Sequence, residues 1–185
     1  FFPIYVNGES IEILNNVDES EPPSDLVSRH LWEGPLPSFE SDGVVSVKED
    51  KYGARGDGRT DDSDAIQKAI DENDIVFLPK GHYVVSKTIA VRPGTKIFGV
   101  SHTCSNIMIQ SDAPFFSDAG NPKAALETPD TAEGNNVLAF FSATIPMSAA
   151  GAHSFLHQSG GSTIIACRFA YHHYSAEEEG KFFVD

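Results

Sequence analysis

Residues 52–70 read YGARGDGRTDDSDAIQKAI. Three glycines fall within the six residues 53–58, and this density requires a loop that turns sharply. The polar run Thr60–Ser63 then supplies N-cap chemistry, and the apolar residues Ile66, Ala69 and Ile70 recur at i, i+3 and i+4. The stretch therefore predicts a tight loop followed by a short amphipathic helix of about three turns with one apolar face.

Beyond Asn73 the chain changes to short runs rich in Ile and Val that are separated by turn residues. The runs are residues 75–78, 83–85, 88–91, 96–99, 107–109, 137–141 and 163–169. Turns are predicted at residues 79–81, 92–94 and 105–106, and a long loop at residues 111–136. Runs this short suit either a β-sandwich or a solenoid of stacked coils, and their spacing does not separate the two.

The N-terminal residues 1–43 have a different composition. Charged residues and Pro or Gly interrupt every periodicity there, so this part is predicted to form an extended arm and linker. Only residues 5–6 and 11–14 have a strand-like pattern, and a short strand is expected at Val44–Val47.

The run 52–70, followed by VFLPKGHY at residues 76–83, resembles the entry motif of the pectate-lyase-like right-handed parallel β-helix superfamily. The resemblance implies an all-β fold in which residues 44–185 form a short solenoid with one capping α-helix at about residues 62–72. In that superfamily the glycine loop and helix cover the exposed end of the first coil. The residues that the resemblance assigns to this structural cap are Gly56, Asp57, Gly58, Thr60, Asp61 and Asp62.

A narrower resemblance is carried by TIAVRPGTKIFG at residues 88–99, by FSDAGNPK at residues 116–123 and by the linker LWEGPLPSFE at residues 31–40. These are similar to the second β-helix repeat of glycoside hydrolase family 55 exo-β-1,3-glucanases. The resemblance implies a carbohydrate-active module that hydrolyses neutral β-glucan, with the family's catalytic carboxylate in a later segment. No catalytic residue is therefore assigned, and catalysis by this chain stays an open question.

A second hypothesis is a non-catalytic structural module of an extracellular fibre, appendage or viral spike, because parallel β-helices also serve as rigid rods. The single tryptophan, Trp32, favours it, since carbohydrate sites use exposed aromatic platforms and the 13 Phe suit internal stacks better. A solenoid this short also exposes apolar edge at its last coil, near Phe182–Val184. We therefore expect self-association or a larger parent protein.

The charge balance excludes several classes of partner. A formal net charge of -14 repels nucleic acid, acidic lipid and anionic polysaccharide, but it leaves a neutral polysaccharide as a partner. No apolar run approaches the roughly 20 residues that a membrane-spanning helix needs. Both hypotheses place the protein outside the cell or at the cell surface.

Three groups of residues could carry further chemistry. The acidic residues Asp57, Asp61, Asp62 and Asp64 lack the spacing of a calcium-binding loop, and their position before a helix predicts capping instead. His153 with His157, and His172 with His173, suggest a metal, but neighbours on a strand point to opposite faces. Solvated side chains are expected for these histidines and for Glu177–Glu179. The sequence thus predicts no metal site and, without a phosphate-cradling glycine pattern, no cofactor.

The two cysteines, Cys104 and Cys167, are 63 residues apart. This separation corresponds to two or three coils, and coils that are not neighbours hold their Cα atoms too far apart for a disulfide. Two reduced, mostly buried thiols are therefore expected, and an intramolecular bridge is the alternative.

Overall fold

A computed structural model describes residues 4–6, 9–11, 21–26, 37–146 and 149–172. The chain divides into two compact units, residues 1–36 and residues 37–185. In the first unit β1 (Ile4–Val6) and β2 (Glu9–Ile11) pair antiparallel, with Ile4 opposite Ile11. The expected domain division at residue 43 stays a prediction.

The described part of the second unit is built from three sheets and an α-helix, α1 (Ser63–Glu72). The first sheet contains β3 (Val44–Ser46), β5 (Ile75–Leu78), β8 (Lys96–Gly99), β11 (Val137–Ala139) and β14 (Thr163–Ile165). The second contains β4 (Asp57–Asp61), β6 (Gly81–Val85), β9 (Ser105–Ile109), β12 (Ser142–Pro146) and β15 (Arg168–His172). The third contains β7 (Ile89–Ala90), β10 (Lys123–Glu127) and β13 (Ala152–Leu156), and a short 3-10 helix spans Pro114–Phe116.

The chain visits the three sheets in the same order on each turn, and every strand of these sheets pairs in parallel with its counterpart on the neighbouring turn. Only a solenoid gives this topology, because a sandwich needs antiparallel neighbours. The expected parallel β-helix is therefore confirmed. On the first turn α1 follows β4, at the point in the chain where later turns have a third-sheet strand.

The core lies inside the solenoid and consists of inward side chains stacked in register. In the first sheet one inward column is Val45, Val76, Ile97, Leu138 and Ile164. Its central members are almost completely buried, whereas Ile164 on the last described turn is 42% exposed. Burying each central side chain contributes roughly 1.5–3 kcal/mol, so stability resides mainly in the middle turns.

The helix joins the solenoid through its buried face, Ile66, Ala69 and Ile70, as its periodicity predicts. On the same helix, the Gln67 side chain donates to the carbonyl of Ala90 at 3.0 Å and accepts from its N–H at 2.9 Å. The amide of Gln67 thereby pairs with β7 as a neighbouring strand would.

Five sequence expectations need correction. The glycine loop continues into a strand, Asp57–Asp61, and the turn expected at residues 105–106 is the start of β9. The loop expected at residues 111–136 contains β10, and β12 and β13 were not expected at all. Residues 163–169 form two strands, because Ala166 has a φ of 48° and turns the chain into the second sheet.

Candidate functional site

The residues assigned to the structural cap meet at the junction between the glycine loop, β4 and α1. Asp57 accepts hydrogen bonds from the N–H groups of Arg59 and Thr60 at 2.9 and 2.8 Å, and from the Thr60 hydroxyl at 2.9 Å. These donors favour the ionised carboxylate, so they lower the pKa of Asp57 from 3.8 to about 2. Asp57 therefore fixes a tight polar turn that contains Gly58.

Asp62 occupies the N-cap position but makes no capping hydrogen bond to the helix, which corrects the expected role. Its carboxylate turns back to the loop and accepts from the N–H groups of Arg55 and Gly56 at 2.7 and 2.9 Å. Burial raises the pKa of Asp62, against the effect of these two donors. Gly56 has a φ of 60°, and a Cβ there would lie 2.8 Å from a ring carbon of Tyr83, so the close approach requires glycine.

Asp61 connects the helix start to the corner after β6. It accepts from the Ser63 N–H at 3.0 Å and from the hydroxyls of Ser63 and Ser86 at 2.5 and 2.6 Å. Asp64 forms an ion pair with Lys87 at 2.5 Å. All four aspartates of the junction thus accept hydrogen bonds or an ion pair from other groups of the protein. Together these contacts attach the loop and the helix to the solenoid.

The histidines are not brought together. His153 is exposed on β13 and His157 follows that strand, about 13 Å along an extended chain. His172 ends β15, while His173 and Glu177–Glu179 lie outside the described residues. Among residues 37–146 and 149–172, no three His, Cys, Asp or Glu side chains are close enough to share a metal ion.

Both cysteines are free thiols, at the corners before β9 and β15. The two corners are separated by two turns of the solenoid. This separation is the one that the sequence spacing predicts, and it is too large for a disulfide. Both residues are partly buried, and Cys167 packs against the hydrophobic core.

Glycoside hydrolysis by inversion needs two carboxyl groups about 6.5–9.5 Å apart. On the described third sheet, Glu127 is flanked in register by Ala90 and Leu156, so no second carboxylate shares its column. On the second sheet an outward cluster is polar but buried. There the Asn106 side-chain oxygen accepts from Ser142 and Thr144 at 2.8 and 3.1 Å, so these groups satisfy one another.

An outward stack of three phenylalanines was missed at the sequence level, where Phe was assigned to internal stacks. The rings of Phe39 and Phe77 have centroids 6.0 Å apart, and those of Phe77 and Phe98 5.1 Å apart. Phe77 and Phe98 are in register and point away from the core, because their neighbours Val76 and Ile97 point inward. We call Phe39, Phe77 and Phe98 the aromatic column; the signal for it is that Ile75–Leu78 is apolar at every position, as expected of a strand covered on both faces.

Comparison with known proteins gives relatives that include a fungal glucosidase, a fungal LysM effector and phage appendage proteins. The chain is 34% identical over 116 residues to a probable glucan endo-1,3-beta-glucosidase of Arthroderma benhamiae. The aligned segment covers 60% of this chain and 12% of the relative. The chain is also 47% identical over 55 residues to the pre-neck appendage protein of Bacillus phage B103. Here the aligned segment covers 30% of this chain and 6% of the relative. The chain therefore spans only a small part of the relatives that it matches.

Among solved structures, ORF18 of Geobacillus virus E2 superposes with a TM-score of 0.53 at 18% identity, over 88% of this chain and 31% of that chain. At this identity the likeness concerns the fold alone. No helix in the described ranges is long and apolar enough to cross a membrane.

The family model for rhamnogalacturonase A/epimerase, pectate lyase-like proteins matches residues 44–145. The matched segment begins at β3, contains the glycine loop and α1, and ends in β12. The resemblance of residues 52–70 and 76–83 to the pectate-lyase-like superfamily is thereby confirmed. Because the match extends over more than half of the 185 residues, the chain belongs to the rhamnogalacturonase A/epimerase, pectate lyase-like family.

Proposed function

We propose that this chain is the carbohydrate-recognising β-helix module of a protein that acts on neutral β-1,3-glucan outside the cell. The observation that carries the proposal is the 34% identity over 116 residues to a protein named as a probable glucan endo-1,3-beta-glucosidase. The net charge of -14 supports a neutral ligand, because a polyanionic glycan would be repelled.

The role proposed for the module is binding, with hydrolysis carried out by the whole protein. The junction aspartates are engaged by protein donors, and Glu127 has no carboxylate partner in its register column. We therefore propose binding for the described residues and assign the carboxylate pair of an inverting reaction to the whole protein. Exo-acting hydrolysis, which the family 55 resemblance implies, is proposed for the whole protein.

The test is isothermal titration calorimetry of the chain with a β-1,3-linked gluco-oligosaccharide, beside a hydrolysis assay of the same mixture. We expect saturable binding without release of sugar, and no binding of polygalacturonate. Lack of binding to the β-1,3-oligosaccharide would overturn the proposal. Release of glucose or of short oligosaccharides would place catalysis within this chain and would distinguish exo from endo attack.

A second candidate function is a structural module of a phage-type appendage, favoured by the 47% identity over 55 residues to the Bacillus phage B103 protein. A structural module is expected to form a stable oligomer and to ignore glucan. Analytical ultracentrifugation at low micromolar concentration separates the two, since the glucan-binding proposal needs no second copy.

A further inference from the structure

The aromatic column lies on the outer face of the first sheet, where an apolar surface would ordinarily be covered. Phe39 is 67% exposed, and its ring lies at the edge of the column beside the half-buried ring of Phe77. Phe98 is only 2% exposed and stacks on Phe77 with an interplanar angle of 29°. Phe98 therefore covers one side of Phe77, and the surface left to a ligand is the exposed ring of Phe39 with the partly exposed ring of Phe77 beside it.

The position of Phe39 is itself held by local structure. It lies in a turn in which the Ser41 N–H donates to the carbonyl of Ser38 at 3.0 Å and the Glu40 N–H donates to the Ser38 hydroxyl at 3.2 Å. The Val44 N–H then donates to the carbonyl of Ser41, which joins this turn to β3. The turn therefore holds a large exposed ring at one place on the surface of the solenoid, next to Phe77.

Polar groups border the rings. Ser46 is the register partner of Phe77 on β3, and the carboxylate of Glu49 accepts from its N–H at 2.7 Å. On the other side, exposed Lys96 pairs in register with Ile75, and each lies two residues before a member of the column on the same strand. Hydroxyl, carboxylate and ammonium groups thus lie around an apolar platform.

This combination suits the two-sided chemistry of a pyranose. One face of the sugar ring carries C–H groups, which are attracted to the electron-rich face of an aromatic ring, and its rim carries hydroxyls that need donors and acceptors. A polyanion fits poorly, because the chain as a whole is strongly acidic.

We propose that the aromatic column, with Ser46, Glu49 and Lys96 at its border, binds consecutive glucose units of a neutral β-glucan. The column crosses the strands, so the glucan lies along the solenoid axis with one sugar on Phe39 and the next on Phe77. This inference rests on the proposed function and adds to it the place and the orientation of the ligand.

The experiment compares three single variants with the wild-type chain by calorimetric titration with the β-1,3-linked gluco-oligosaccharide. Phe39→Leu and Phe77→Leu remove a ring but keep an apolar side chain. Phe115→Leu is the matched control, because Phe115 is also exposed, at 46%, but lies on the 3-10 helix between the second and third sheets and packs edge-to-face on Phe116. Thermal unfolding followed by circular dichroism checks each variant, and Phe39→Leu carries the test alone if Phe77→Leu does not fold.

We expect the two column variants to weaken the association constant about tenfold or more and Phe115→Leu to leave it unchanged. Wild-type binding that persists at full strength in both column variants would overturn this inference and leave the proposed function standing. Equal losses in all three variants would overturn it too, since the effect would not be specific to the column. A wild-type chain that does not bind would overturn the proposed function, and this inference with it.

Discussion

Asp57 and Asp62 lie five residues apart around one glycine loop, yet their surroundings shift their pKa values in opposite directions. Asp57 is at the surface and receives backbone donors, which lower its pKa to about 2. Asp62 is 1% exposed, and burial raises its pKa. A run of acidic residues in the sequence therefore does not predict the pKa of each carboxyl group. Desolvation and the positions of hydrogen-bond donors determine each pKa.

Asp57 makes a pH-dependent contribution to stability whose sign follows from its lowered pKa. The folded chain holds the proton less tightly than the unfolded chain, so the contribution is fully present above about pH 4 and is lost as pH falls toward 2. We expect the wild-type melting temperature to exceed that of Asp57→Asn at pH 6, and the gap to narrow on acidification. Melting curves of both proteins from pH 6 to pH 2.5 test this, and a gap that widens in acid would contradict it.

The two cysteines are expected to differ in reactivity. Hydrogen bonds from Ser101 and then Thr103 lower the pKa of Cys104, whereas burial raises the pKa of Cys167. Because the thiolate is the nucleophile, iodoacetamide at neutral pH should modify Cys104 first. Peptide mass mapping after short exposures measures the order, and unfolded protein, in which both sites should react alike, is the control.

At the scale of elements, the Gln67 side chain makes the hydrogen bonds to β7 that the backbone of a neighbouring strand would otherwise make. Gln67→Leu removes both hydrogen bonds to the backbone of Ala90 but keeps the bulk of the residue. We expect a loss of about 1–2 kcal/mol in the free energy of unfolding, measured by urea denaturation. Lys68→Ala, on the same helix, is the control: it removes an exposed hydrogen bond to the carbonyl of Lys51 and a contact with the ring of Tyr52, and it should cost less than Gln67→Leu. A similar loss in both variants would show that the pairing contributes nothing specific.

Elements with strong local patterns are predictable, and those that depend on their neighbours are not. Ile75–Leu78 and Lys96–Gly99 are rich in β-branched and aromatic residues, and their predicted bounds are the observed ones. Lys123–Glu127 contains two alanines and no β-branched or aromatic residue, so its sequence does not favour a strand, and it pairs with β7 and β13 on either side. Asp57–Asp61 is too polar to predict a strand, yet it pairs with β6 in the second sheet.

The candidate site was less predictable than the fold for a related reason. Which Phe points outward depends on strand register, and the ring of Phe39 reaches Phe77 only because β3 and β5 are neighbours in the sheet. A linear pattern identifies an apolar run but not the face that each residue occupies in the assembled solenoid. The junction residues could be located from the sequence, although Asp62 has a different partner from the one expected.

At the scale of the whole molecule, stability should vary along the solenoid axis. Leu138→Ala removes a fully buried side chain from the middle of the inward column, and Ile164→Ala changes the 42% exposed end of the same column. We expect a loss of about 2–5 kcal/mol for the first and about 1 kcal/mol or less for the second. Urea denaturation of the pair measures both, and equal losses would contradict a stability concentrated in the middle turns.

The pairing of Gln67 with Ala90 also makes the two ends of the solenoid chemically unequal. At the helix end the Gln67 side chain occupies the backbone groups of Ala90 on β7, so α1 blocks strand addition at this edge of the third sheet. At the opposite described end Tyr171, which continues an inward column, is 57% exposed. An incoming strand would have to displace the Gln67 side chain before it could pair with β7, so self-templating at the helix edge of the third sheet carries a cost in free energy.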